Sequence, residues 1–378
     1  MKTKDMKKKQ TFVKLLLFAM LIGAPLIASA QVEINEANFP DEGFRNWLFD
    51  QDYGADGVLT ESEIKEITRI SVISQNISNL KGIEYFIALT WLNCHENKLK
   101  ELNVSMNTAL QTLYCGSNQL TALDMSQNTA LQTLDCSNNQ LTALDASKNI
   151  VLTELYCNTN QLTALDVANN TLLTYLSCGY NQLTVLDTSN NTELIGLYCN
   201  YNQLTTLNVL KNTELMILQC SNNQLTMLDA PKSTELTILE CNNNQLTALD
   251  VSGCTALECL ECYNNHIKGV SMDALISSLP QTDSGWFYVY DNKDSDEGNV
   301  CTKAQVAAAK AKGWSMYDSN GTEYEGSSDE ETSIALPTTE TVEANAPVYT
   351  LSGQKVNGGS LKGKKGIYIV GGKKVVVK

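Results

Sequence analysis

From Leu89 onward the apolar positions keep a fixed beat. Leucines fall at 89, 92, 99 and 102, Cys94 lies among them, and the pattern returns every 21 residues as far as Cys262. Nine cysteines, Cys94, Cys115, Cys136, Cys157, Cys178, Cys199, Cys220, Cys241 and Cys262, mark the period. The unit reads Leu-x-x-Leu-x-Cys-x-x-Asn-x-Leu-x-x-Leu-Asp-x-Ser-x-Asn-Thr-x, beginning at Leu89 and repeated with drift near the end. Such self-similarity predicts a solenoid, in which no unit can bury its apolar face alone but stacked neighbours bury it continuously. All four Leu columns must point inward. The Leu-x-Cys alternation has period two and predicts a short strand, with Leu92 and Cys94 inward and Trp91, Asn93 and His95 outward. Strands of successive units then lie parallel and in register in one sheet.

Two asparagine columns accompany the leucines. Asn97, Asn118, Asn139, Asn160, Asn181, Asn202, Asn223, Asn244 and Asn265 follow the strand, where the backbone must turn and its amides need partners. Asn107, Asn128, Asn149, Asn170, Asn191 and Asn212 mark the opposite bend, before Ser233 and Cys254 replace them. The last coils are therefore less regular.

Leu131-Gln-Thr-Leu134-Asp-Cys136-Ser-Asn-Asn139-Gln-Leu141 resembles the leucine-rich repeat motif Leu-x-x-Leu-x-Leu-x-x-Asn-x-Leu, with Cys in the third Leu slot. Leu141-Thr-Ala-Leu144-Asp145-Ala-Ser-Lys-Asn149 nearly repeats it, as in the nested 21-residue bacterial type. The resemblance spans residues 67–270. It implies a β-rich leucine-rich repeat solenoid: a parallel sheet, an extended convex side with little helix, short helical caps and a small β tail. It says little about function, because the fold hosts many partners.

The chain ends differ from the repeats. Residues 1–30 read as a secretory signal: six lysines precede the apolar run Leu15 to Ile27, and Ala28-Ser29-Ala30 fits the cleavage rule. The apolar run is short for a membrane span, and no Cys follows the cut site to carry a lipid. An exported chain, secreted or at the cell surface, is expected. Residues 327–346 are polar and Thr-rich, reading as a linker. Residues 347–378 hold β-rich segments at Val348 to Val356 and Gly366 to Lys378, the second with a Gly-Gly turn. This tail resembles the C-terminal sorting domain of the type IX secretion system of Bacteroidetes, although it is shorter. The alternative is a small β-module that packs on the solenoid.

Residues 31–68 read as an N-terminal cap of two short helices, Glu42 to Phe49 and Glu61 to Ile67. Between them an EF-hand-like loop places Asp52, Asp56, the Val58 carbonyl, Thr60 and Glu63 at calcium-ligating positions, with Gly57 at the sharp turn. Gly54 stands where a ligand is needed, so the strict motif fails. A capping box of Thr60 and Glu63 explains the same residues without metal. Residues 271–326 read as a C-terminal cap, with helices at Met272 to Leu279 and Thr302 to Lys312 and strands at Gly285 to Asp291 and Trp314 to Asp318.

The outward side of the strands, expected to be the concave face of the solenoid, is the candidate surface. Positions three, five and eight of the unit carry Trp91, Tyr114, Tyr156, Tyr175, Tyr180, Tyr198 and Tyr201, amphipathic side chains that anchor protein partners and stack on sugar rings. β-Propensity and cross-strand packing account for part of this enrichment, and a stripe that only stiffens the sheet is the alternative. An Asp column, Asp124, Asp145, Asp166, Asp187, Asp229 and Asp250, reads as acceptors for the following turn rather than as a calcium ladder.

Charge narrows the partners. The chain carries −15, yet lysines dominate residues 1–30 and 347–378, so the segment between carries −27. Nucleic acid and anionic membranes are poor partners for such a surface. Catalysis finds no support: His95 and His266 occupy variable positions, and no nucleophile elbow, phosphate loop or zinc-spaced cluster occurs. Cys259 and Cys262 form a Cys-x-x-Cys, but Cys262 belongs to the inward column and no redox fold surrounds it. The nine column cysteines are odd in number and stand in a Leu slot, so reduced, buried thiols are expected rather than a disulfide framework. The leading expectation is a binding protein for a protein or glycan partner, without a cofactor unless calcium occupies the cap. A structural or adhesive scaffold with a calcium-ordered cap and no specific ligand is the rival.

Overall fold

The structure is a computed structural model; it describes residues 31–328 except Pro231, and the backbone of Val348–Thr350, Gly366–Val370 and Lys373–Val377. The expected signal and most of the linker lie outside the described residues. An antiparallel pair, β1 (Val32–Glu33) and β2 (Val58–Leu59), frames the N-terminal cap with α1 (Glu42–Phe49) and α2 (Glu61–Glu66). Twelve parallel strands follow in simple chain order. They are β3 (Arg69–Ser71), β4 (Trp91–Asn93), β5 (Thr112–Tyr114), β6 (Thr133–Asp135), β7 (Glu154–Tyr156) and β8 (Tyr175–Ser177). The sheet continues through β9 (Gly196–Tyr198), β10 (Ile217–Gln219), β11 (Ile238–Glu240), β12 (Cys259–Glu261), β13 (Gly285–Tyr290) and β14 (Trp314–Asp318). Between β12 and β13 lies α3 (Val270–Ser278), and between β13 and β14 lies α4 (Lys303–Lys310). In the tail β15 (Val348–Thr350), β16 (Gly366–Val370) and β17 (Lys373–Val377) pair antiparallel, Val370 opposite Lys373.

Each repeat contributes three strand residues whose middle Leu is buried, in register with the Leu of the next coil, as in Leu155 beside Leu176. All nine column cysteines are fully buried, and none is bonded to another. A fully buried Leu contributes roughly 2 kcal/mol through its removal from water, so stability accumulates coil by coil. A fifth inward column was not anticipated: Val104, Met125, Ala146, Val167, Thr188, Val209, Ala230 and Val251 also line the interior.

The first Asn column closes the turn. The Asn181 amide donates to the carbonyls of Cys157, Cys178 and Gly179, and its Oδ1 accepts from the Leu162 amide in the preceding coil. The second column behaves differently. Asn191 Nδ2 donates to the carbonyls of Val167 and Asn170, but its Oδ1 has no partner; Oδ1 of Asn107, Asn128, Asn149 and Asn170 is alike.

The far side is extended, as expected. Just past the ladder turn the Gln119 amide donates to the Leu99 carbonyl at 2.8 Å, a bond repeated down the stack, and on the far side parallel bridges join Asn103 to Asp124, Asp187 to Asn208, Asn208 to Asp229 and Asp229 to Asp250. Both sides of the coils are thus tied at backbone hydrogen-bonding distance, and no helix of the repeats spreads them apart.

Residues 271–326 do more than cap. Trp286 pairs with Cys259 and Ser315 with Trp286, so β13 and β14 prolong the same sheet as two irregular coils. Asn299 fills the Asn-ladder role, donating to the carbonyls of Cys262 and Val289 and accepting from the Ile267 amide. Residues 291–298 intervene between strand and ladder, which hides the repeat in the sequence. Thr302 and Gln305 form a capping box on α4. The outer edge of β14 is then covered, since Asp318 N donates to Thr322 O and Tyr324 N to Met316 O.

Candidate interaction face

The outward face of the sheet gathers most of the aromatic residues singled out. Trp91, Tyr114, Tyr156, Tyr175 and Tyr198 stand half-buried on β4, β5, β7, β8 and β9. Arg69 on β3 lies 4.2 Å from the Trp91 ring centroid, and Trp91 meets Tyr114 edge-on at 6.0 Å. Tyr175 and Tyr198 converge over Gly196, where an added Cβ would fall 2.8 Å and 2.9 Å from their ring carbons. Glycine at that position therefore makes room for two rings rather than for a turn.

Tyr180 and Tyr201 are placed differently from the expectation. They leave the strands and occupy the turn that follows, at φ of 53°, in the left-handed region that every coil visits there. Elsewhere the position holds Glu96, Ser117, Asn138, Thr159, Asn222, Asn243 or Asn264. Bulky residues are unusual in this conformation. The two rings stack at 4.2 Å and 13°, each about half exposed, on the rim of the face.

Acidic groups complete the surface. Tyr156 is pushed up to about 12 by burial and by Glu154 beside it. Glu240 and Glu261 share a register position on β11 and β12, and Gln219 Nε2 donates to Glu240 Oε1 at 2.8 Å. Burial, then the neighbouring Glu240, pushes Glu261 up to about 7. Trp286, Tyr288 and Tyr317 extend the aromatic surface onto β13 and β14, Tyr288 and Tyr317 lying 5.4 Å apart. The expectation of a cap over residues 271–326, with strands in it, did not include these aromatic residues in the face. The alternation Trp286-Phe287-Tyr288-Val289, with Phe287 and Val289 buried, was the available signal.

The cap loop has a different engagement. Glu63 Oε2 accepts from Thr60 N at 2.7 Å and Thr60 Oγ1 at 2.8 Å, while Glu63 N donates back to Thr60 Oγ1. Asp56 Oδ1 accepts from Val58 N, and Asp52 is exposed. Among the described residues no three His, Cys, Asp or Glu side chains converge as a metal site. A calcium ion in this loop would have to draw Glu63 away from the α2 cap. The Asp column takes the expected role, Asp124, Asp145, Asp166, Asp187 and Asp250 each accepting from the amide two residues on.

Neither known family models nor curated proteins match the chain. Solved structures do. The functional domain of InlJ from Listeria monocytogenes, which includes a cysteine ladder, aligns with a TM-score of 0.60 at 28% identity, over 78% of this chain and 69% of that one. The Leptospira interrogans LRR protein LIC12759 aligns at 0.54 and 21% identity, over 68% of this chain and 79% of its own. The plant peptide hormone receptor RGFR1 in complex with RGF2 aligns at 0.52 and 21% identity, over 63% and 40%. The fold is that of leucine-rich repeat proteins, and its similar structures include bacterial ones. No described helix is long and apolar enough to cross a membrane.

Proposed function

We propose that the protein is an exported binding protein, secreted or held at the cell surface, which recognises a protein or glycan partner through the concave aromatic face. One observation carries this reading. The inward columns are nearly uniform from coil to coil, whereas the outward strand positions vary and collect Trp91, Tyr114, Tyr156, Tyr175 and Tyr198 where no other part of the described chain covers them. Half-exposed Tyr and Trp give large contact area with a polar tip, the composition of recognition surfaces. The fold supports it as well, since a plant peptide hormone receptor of similar fold is found in complex with RGF2. The signal-like N-terminus and the sorting-like tail support export.

The test replaces Tyr156, Tyr175 and Tyr198 together with Ser, and compares folded mutant and native protein on a glycan array and in pull-down from extracts. Loss of the native ligands is expected. Retention of every ligand by the mutant rejects concave recognition.

A further inference from the structure

Tyrosine stands at the same outward position on every second strand in the middle of the sheet. Tyr114, Tyr156 and Tyr198 hold it on β5, β7 and β9, while Asp135 and Ser177 hold it on β6 and β8. Asp135 and Ser177 are shorter than the tyrosines they alternate with, and Tyr175 on β8 leans toward Tyr198 over Gly196. Two rungs of the sheet span about 9.6 Å.

That spacing discriminates among extended ligands. A polyproline II chain completes its three-residue turn in about 9.3 Å and presents the same face again. A β-strand returns a face every ~6.8 Å. Two turns of α-helix need ~10.8 Å, so a helix drifts out of phase by more than 2 Å over the three tyrosines. Only the polyproline geometry keeps step to within about 1 Å. Charge narrows the ligand further. Asp135 and Glu154 stand on the face beside the tyrosines, and residues 31–346 carry −27. A neutral sugar polymer can donate hydroxyls to these carboxylates but brings no charge to match them, an anionic one is repelled, and a cationic chain gains both.

We propose that this face docks a basic, proline-rich segment in the polyproline II conformation. Prolines pack on Tyr114, Tyr156 and Tyr198, and the basic side chains of each turn reach Asp135 and Glu154. Rigid, extended proline-rich chains lose little entropy on docking to aromatic grooves. The proposal rests on the concave-face reading above and names its ligand class.

Its test uses the mature chain and four fluorescent probes: (Pro-Pro-Arg)4, (Gly-Gly-Arg)4, (Pro-Pro-Gln)4 and a β-linked glucose hexamer. Anisotropy titration should show (Pro-Pro-Arg)4 binding at least tenfold tighter than the other three. Tyr156→Ser and Tyr198→Ser should each weaken it about tenfold, and Glu154→Gln should reduce its salt dependence. Insertion of one extra 21-residue coil between Tyr156 and Tyr198 should abolish the preference, and insertion of two should restore it, because four rungs again match two polyproline turns. Equal affinity for (Gly-Gly-Arg)4 reduces the effect to charge and overturns the proposal. Binding of the glucose hexamer alone overturns it but leaves concave recognition standing, whereas serine variants that bind every probe like the native protein overturn both.

Discussion

Thr188 Oγ1 donates a hydrogen bond to Asn212 Oδ1 at 3.0 Å inside the solenoid, across two successive coils. The equivalent oxygen of Asn191 faces the coil that holds Val167 and has no partner. Val167→Thr should therefore stabilise the fold by about 1 kcal/mol, the net worth of a new buried hydrogen bond. Thr188→Val should cost a similar amount. Denaturant midpoints of the two variants decide, and a destabilised Val167→Thr would show that the site cannot take a hydroxyl.

The first Asn column should respond more strongly. Asn181→Ala leaves the buried Leu162 amide without its acceptor and takes one donor each from the carbonyls of Cys157, Cys178 and Gly179, which keep Asn160 Nδ2, Asn202 Nδ2 and Thr159 N. A loss of about 2 kcal/mol is expected, within the range for one orphaned buried amide. Exposed Asn190→Ala, at the opposite bend of the same coil, is the control and should change little.

Glu261 predicts a pH dependence. Its ordinary value of 4.5 rises to about 7 in the fold through burial and Glu240. Between those values the folded chain keeps a proton that the unfolded chain has released, so stability falls as pH rises through this window and the loss is complete above it. Glu261→Gln removes the loss. The variant should melt higher than the native protein at pH 8 and nearly together with it at pH 4.5.

Thiol chemistry tests the cysteine column. Burial pushes Cys94 and Cys178 up to about 12, leaving almost no thiolate at neutral pH. Alkylation of the native protein should be slow at pH 7.5, with half-buried Cys259 reacting before any column member. In denaturant all nine column thiols should react. Fewer than about half reacting would point to disulfides instead.

At the other end, Thr60→Ala removes the hydroxyl that caps α2 and should cost about 1 kcal/mol. The same loss is expected with and without millimolar calcium, because Glu63 already serves the cap. A calcium-dependent rise in melting temperature, abolished by Glu63→Gln, would assign the loop to the metal.

Much of this was legible in the chain. Strict spacing disclosed the coils, the inward cysteines and the first column of turn asparagines, since each of those columns keeps one residue type in one physical role from Cys94 to Asn265. The fifth inward column was harder to read because Val104, Met125, Ala146 and Thr188 share only their modest polarity. The aromatic end of the face, Trp286 to Tyr317, was obscured by residues 291–298, which break the count without breaking the sheet. Nor could spacing show that Tyr180 and Tyr201 sit in left-handed turns, because the coils that hold Asn or Ser there look unremarkable in sequence.

The direction of the asparagine bonds has one more consequence. Each ladder Oδ1 answers an amide in the coil before it, so a coil leaving the ribosome keeps an unanswered amide until its successor has been made. Leu246 waits for Asn265, and Ile267 waits for Asn299. The solenoid thus has a growing end that is raw at every stage of synthesis, and the polar loop before Asn299 belongs to the segment that finally seals it.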